Sequence, residues 1–300
     1  MAAAWMLLAA FLFASMGVCV KAASDFFSSY ELVFYRGLVS TVFMGWFAHH
    51  RGIGLKTRFL GMHIWRSIVG VISLGTWFYA LGRLPLATAM TLNYMSSVWV
   101  AAFVVGSAML RPPTGPNADP AEHWQRQLPL MVTVLTGFMG VIMVLRPTFE
   151  AHQAFAGLIG LMSGFVASFA YMQVMALARV GEPEERTVFW FSVGTTAVGA
   201  GLVAATGVSD WSGWHSLWLL PIGLFASLGQ LCMTRAYSHG ATLVVANLQY
   251  SGIIYAAMFG WLLFGEAIPL IGWAGIGLII VSGIASSVIR KRMAVRPSPT

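Results

Sequence analysis

The chain has 300 residues, 58% of them hydrophobic and only 9% charged, with a mean hydropathy of +0.77. A soluble domain carries about 25% charged residues, so this sequence has too little polar surface to face water on all sides. Its net charge of +7 lies mostly in short loops between apolar runs, which argues against a nucleic-acid-binding face and reports membrane orientation instead.

Apolar runs of spanning length, about 20 residues, recur along the whole chain. In order they cover 2–21, 29–48, 62–82, 86–110, 128–146, 154–178, 187–207, 216–238, 241–264 and 269–289. The first run, Ala2 to Val20, lacks a basic leader and matches the later runs in length, so it reads as a span and not as a cleaved signal. Pro85, Pro129, Pro147, Pro183 and Pro269 fall at or just outside span ends, where proline costs little. Arg111 to Gln127, with Pro112, Pro113, Gly115 and Pro116, reads as a flexible loop. Cys19 and Cys232 sit in apolar segments and read as buried small residues.

Lys and Arg are distributed unevenly about these spans. Twelve of the 17 fall on the side that holds both termini, against Lys21, Arg83 and Arg146 on the other. That bias predicts a multi-pass protein of the bacterial inner membrane with both termini cytoplasmic. Trp46, Trp65, Trp211, Trp214 and Trp218 cluster at span ends, as interfacial anchors do.

Spans four and nine resemble each other at a constant offset, which pairs Ala87-Thr88 with Ala241-Thr242 and Asn93 with Asn247. The same offset pairs Ser97 with Ser251, Ala102 with Ala256 and Gly106 with Gly260. A weaker echo sets Glu31-Leu-Val-Phe against Glu185-Arg-Thr-Val-Phe. Ten spans therefore divide into two halves of five, and because five is odd the second half enters the membrane in the opposite sense. The expected fold is an all-α membrane protein of ten transmembrane helices in two inverted five-helix repeats. The first repeat runs over 1–127 and is completed by the fifth span, 128–146. The second covers 153–290, and 291–300 form a cytoplasmic tail.

Tyr79-Ala-Leu-Gly-Arg-Leu-Pro-Leu-Ala-Thr-Ala resembles the junction of the third and fourth spans of EamA-type drug/metabolite transporters. Arg235-Ala-Tyr-Ser-His-Gly-Ala, followed by Gly260-Trp-Leu-Leu-Phe-Gly-Glu266, is similar to the matching region of the second EamA half. The first half departs from that pattern, with Arg111-Pro112 where a Gly-Glu pair often closes the fourth span. Asn93-Tyr94 also resembles the aromatic-amino-acid exporter branch. The resemblance implies a carrier that moves small metabolites, and export of aromatic or other neutral amino acids leads among them. Uptake of a nucleoside-like or methylated compound, with or without proton coupling, is the alternative.

Polar side chains at mid-span depth are expected to face the bundle interior or a cavity. Span four carries Asn93, Tyr94 and Ser96, and span nine repeats this with Asn247 and Tyr250. Span eight adds Gln230, span six adds Ser168 and Tyr171, and span three adds Thr76, Trp77 and Tyr79. Such a lining of hydroxyl, amide and aromatic groups suits a neutral or zwitterionic solute with an apolar part. Arg36 is the one deep charge; a structural partner or snorkelling toward the interface is favoured over pairing with a substrate carboxylate. No carboxylate or histidine falls at mid-depth, so facilitated diffusion or exchange is expected instead of proton coupling.

An enzyme is not expected. No Gly-x-Ser-x-Gly, no His-Glu-x-x-His and no Cys/His cluster occurs, so neither a cofactor nor a metal is called for. The expected partners are a small-molecule substrate and the bilayer, with no nucleic acid and an oligomeric state left open, a monomer included.

Overall fold

The computed structural model describes residues 2–96, 98–99, 102–103, 106, 120–145, 151–209, 213–239, 245 and 248–295. Every regular element among them is helical, in ten α-helices. These are α1 (Ala2–Ala23), α2 (Ser29–His50), α3 (Leu60–Leu81), α4 (Leu86–Tyr94), α5 (Pro120–Leu145), α6 (Ala151–Arg179), α7 (Glu184–Thr206), α8 (Leu219–His239), α9 (Ser251–Phe264) and α10 (Leu270–Val295). A short 3-10 helix, Trp214–Trp218, leads into α8. Five segments, Ala3–Ala23, Leu60–Leu81, Gln153–Arg179, Glu184–Thr206 and Trp214–His239, are long and apolar enough to cross a bilayer. This is a multi-pass all-α membrane protein.

Helix ends follow local chemistry. Ser28 caps α2 in a capping box: its side chain accepts from Glu31 N–H, and Glu31 accepts from Ser28 N–H at 2.8 Å. Pro85 and Pro183 stand immediately before α4 and α7, where a missing N–H costs nothing. Gly265 closes α9 with φ +63°, the left-handed cap that glycine adopts without strain.

Three boundaries differ from the sequence reading. Helix α5 begins at Pro120, inside the segment expected as loop, so Pro129 lies within a helix and not at its edge. Residues 111–119 lie outside the described residues. Spans four and nine were expected as continuous, yet each passes through a turn, at Met95 and at Gln249–Tyr250. The turns are equivalent under the repeat offset. Both tighten toward 3-10 geometry, with Met95 N–H reaching Leu92 O at 3.3 Å and Gly252 N–H reaching Gln249 O at 3.0 Å.

The halves interlock. The most extensive packing joins α2 to α7, α5 to α10, α1 to α8 and α3 to α6, while α4 meets α6 and α9, and α9 meets α1. Each of these pairs takes one helix from each half, and exchanging the halves (α1 for α6, α2 for α7 and so on) reproduces the set. That is the contact pattern of a pseudo-two-fold axis between inverted repeats. The centre is filled by Phe78, Leu81, Leu86, Met90, Leu92 and Met95, all fully buried. Large apolar side chains such as Val42, Leu135, Ile254 and Leu270 are exposed, as a lipid-facing surface requires. Trp46, Trp65 and Trp214 are exposed near helix ends, and Cys19 and Cys232 are free and buried.

Candidate functional site

Between the two halves lies a cavity of about 60 Å3. Helices α1, α2, α3 and α4 of the first half and α6, α7 and α8 of the second all contribute to its wall. A solute pocket usually measures upward of about 300 Å3, so this cavity is narrow for a solute in the present conformation.

Two arginines dominate the cavity. Arg36 on α2 is 2% exposed and Arg66 on α3 is 3% exposed, and both line it. Each guanidinium lies over the ring of Phe191 on α7, with Cζ 5.2 Å from the centroid for Arg36 and 4.0 Å for Arg66. Arg66 Nη2 also approaches Gln230 Oε1 at 3.5 Å, a long hydrogen bond. Gly70, one turn along α3, makes this arrangement possible: a Cβ there would overlap Arg66 Nη1 and crowd the Phe191 ring. Arg36 Nε and Nη1, Arg66 Nε and Trp77 Nε1 are buried without a hydrogen-bond partner among the described residues.

Magnitudes decide how to read this. Placing an arginine at mid-membrane costs about 2.5–3.5 kcal/mol on insertion scales. A desolvated cation–π contact returns about 2 kcal/mol or more, and here one ring is shared by two cations. Among the described residues no carboxylate lines the cavity to offset these charges. Arg36 is buried and has the Phe191 ring as its structural partner, with no carboxylate paired to it among the described residues, and Arg66 is a second charge equally deep.

Around the cations the cavity holds several of the side chains picked out by sequence. Trp77, Asn93, Tyr94, Tyr171 and Gln230 all line it. Asn93 Nδ2 donates to Ser163 Oγ at 3.1 Å, and Tyr171 OH accepts from Gln249 Nε2 at 3.0 Å. Gly164 lets α6 approach the α4 backbone at Leu92 and Asn93, where a Cβ would overlap Leu92 O. Other expected residues lie elsewhere. Thr76 and Tyr79 line a separate apolar groove of about 380 Å3 with Tyr30, Phe155 and Leu202, whose exposed side chains open it toward lipid. Ser168 turns back to its own helix, donating to Phe165 O at 2.6 Å. Ser96 is buried outside the cavity wall. Tyr250 packs toward α10, where a Cβ on Gly283 would overlap its hydroxyl. Asn247 lies outside the described residues.

The sequence reading did not place Arg66, Phe191 or Ser73 in the cavity. Arg66 carried a usable signal, since an arginine deep in a spanning segment marks function by default. Phe191 carried none.

Both ends of the bundle are tied shut. At one end Lys21 Nζ meets Glu266 Oε1 at 2.8 Å and Leu84 O at 2.7 Å, while Glu266 Oε2 accepts Leu86 N–H at 2.8 Å. Glu31 accepts from Ser209 N–H at that same end. At the other, Glu182 accepts from Thr57 Oγ1 and from Arg186 Nη1 (2.7 Å), with His63 Nε2 at 3.4 Å. Glu184 pairs there with Arg235 at 3.1 Å. Each tie joins segments that ten alternating spans put on one side.

A model of the EamA-like transporter family matches residues 1–108 and 153–288. The chain is similar to a pseudopaline exporter of Pseudomonas aeruginosa, 31% identical over 95% of this chain and 95% of that one. Lower similarity links it to a riboflavin transporter of Brucella anthropi, 25% identical over 75% of this chain and 76% of the other. An S-adenosylmethionine uptake transporter of Rickettsia felis is 23% identical over 87% and 84%. One solved crystal structure aligns with 98% of this chain and 99% of its own at a TM-score of 0.64, with 19% identity, a likeness of fold alone.

Proposed function

The chain belongs to the EamA-like transporter family, and from that premise we propose that it exports small amino-acid-like metabolites across the bacterial inner membrane by alternating access. The observation that carries this reading is the narrow cavity between the halves, with two buried guanidiniums on one aromatic ring. An amino acid supplies a carboxylate to Arg36 or Arg66 and an apolar or aromatic side chain to Trp77 and Phe191. Aromatic amino acids, the expectation from sequence, satisfy both demands. The likeness to an exporter supports the outward direction.

No Asp, Glu or His lines the cavity among the described residues, which supports facilitated diffusion or exchange without protons. Rocking of one half against the other, with the ties at each end breaking in turn, would expose the site alternately. Both termini lie in the cytoplasm on this reading, as the Lys and Arg bias requires. Uptake of another metabolite is the second reading, favoured by the riboflavin and S-adenosylmethionine relatives.

The test is counterflow of labelled amino acids in proteoliposomes, with and without a pH gradient. Accumulation against unlabelled internal solute that ignores the gradient is expected. Uptake that occurs only with the gradient would refute uncoupled transport.

A further inference from the structure

Unpartnered donors among the described residues gather around the central cavity. Arg36 Nε and Nη1, Arg66 Nε and Trp77 Nε1 are buried and unpartnered among the described residues, and each can only donate. Both guanidiniums keep their charge at any physiological pH. No carboxylate stands among the described lining residues. Four of the described carboxylates are committed at the ends of the bundle: Glu31 to Ser209, Glu182 to Arg186, Glu184 to Arg235 and Glu266 to Lys21. The compensating group is absent from the described lining residues, and a solute can bring it. It is an acceptor, it is anionic, and it must answer two cations.

Geometry narrows it further. Because both guanidinium carbons are measured to one ring centroid, at 5.2 and 4.0 Å, their separation cannot exceed the sum of those distances. A guanidinium fork matches one carboxylate in a bidentate pair, so two forks at this spacing match two carboxylates on a short linker. Phe191, Trp77 and Leu74 give the wall apolar and aromatic faces, with the Gln230 amide beside Arg66.

We infer that the transported solute is an organic dianion with two carboxylates on a short framework, one taken by Arg36 and the other by Arg66, with Trp77 donating to the same solute. This rests on the reading of the cavity as the substrate site, and it narrows the amino-acid-like solutes of that reading to those that carry a second carboxylate.

The experiment uses the full chain in nanodiscs, with succinate, glutarate and phthalate as probes against their monoamides and against a phosphomonoester. Melting midpoints and calorimetric affinities are read. The dicarboxylates are expected to raise the midpoint and the monoamides are not. Arg36→Gln and Arg66→Gln are each expected to weaken dicarboxylate binding about tenfold or more, and to erase the preference over the monoamide. Without ligand, both variants should melt at or above the parent temperature, since each removes an uncompensated buried charge. Strong destabilisation by either would show a structural counter-ion and overturn the inference. Equal binding of dicarboxylate and monoamide, or tighter binding of the phosphomonoester, would overturn the two-carboxylate assignment. So would failure of all three dicarboxylates to bind. Counterflow of neutral amino acids that persists in both variants would sink the dianion while leaving the carrier standing; absence of counterflow with every solute would sink the carrier itself.

Discussion

Glu182 sits in the connection between α6 and α7 and holds Thr57 of the α2–α3 connection and His63 of α3 against it, while Arg186 of α7, bound to Glu182, donates to Gly54 O of that connection. Burial alone pushes its carboxyl up, but the hydrogen bonds from Thr57, Arg186 and His63 outweigh that and hold it below the ordinary 4.5. A carboxyl depressed on folding contributes stability that is complete above the unfolded value and is lost as pH falls through the folded one. The melting midpoint should therefore fall between about pH 5 and pH 3, and Glu182→Gln should flatten that part of the profile. At neutral pH the same substitution should cost about 1.5–3 kcal/mol, the range for hydrogen bonds to a charged group. An unchanged pH profile in the variant would show that the tie contributes nothing. This hub was not legible in the sequence, where Glu182 reads as an ordinary loop carboxylate; what makes it a hub is the arrival of Thr57 and His63 from more than a hundred residues away.

At the scale of the element, α4 and α9 carry the clearest relation between sequence and structure. The Gly265-Glu266 pair was recognised as a motif without a reason. The structure supplies one: Gly265 ends α9 in the left-handed region, and Glu266 then reaches the first N–H of α4 as a cap lent by the α9–α10 connection. The tightened turns at Met95 and Gln249–Tyr250 escaped the sequence reading, because hydropathy is blind to a change of ψ within a helical region. The repeat offset linked the two sites all the same. Helix α6 leans on the first of these turns through Gly164, whose missing side chain leaves room for Leu92 O. Gly164→Val should push α6 away, since a backbone carbonyl cannot swing aside as a flexible side chain can. The expected loss is about 1–3 kcal/mol, read as a lower melting midpoint in detergent. A midpoint equal to the parent would show that α6 moves freely past α4.

For the whole molecule, span number and internal repeat were legible, because a bilayer imposes a fixed apolar length and an odd-membered repeat imposes inversion. The way the halves interlock was not, since sequence similarity between spans says nothing of which helix each one touches. With the main packing running between halves, each half alone leaves most of its interior faces uncovered. Fragments cut between Arg146 and Ala151 should aggregate or be degraded when expressed singly and co-purify when expressed together. A monodisperse, protease-resistant first half would contradict this. The cations are less symmetric than the scaffold that holds them. Arg36 and Arg66 both belong to the first half, and α7 carries Trp190 at the position equivalent to Arg36.

That asymmetry has a consequence for the order in which the protein is made. Arg66 is translated well before Phe191, the ring both guanidiniums rest on, and at ordinary rates of synthesis the gap is on the order of ten seconds. During that interval two arginines have entered the membrane with neither ring nor amide to receive them. The first half must therefore be sheltered, by the insertion machinery or by water-filled thinning of the bilayer, until α7 and α8 emerge. A ribosome that stops before Phe191 leaves a fragment that the membrane's own quality control can recognise by its unpaired charge.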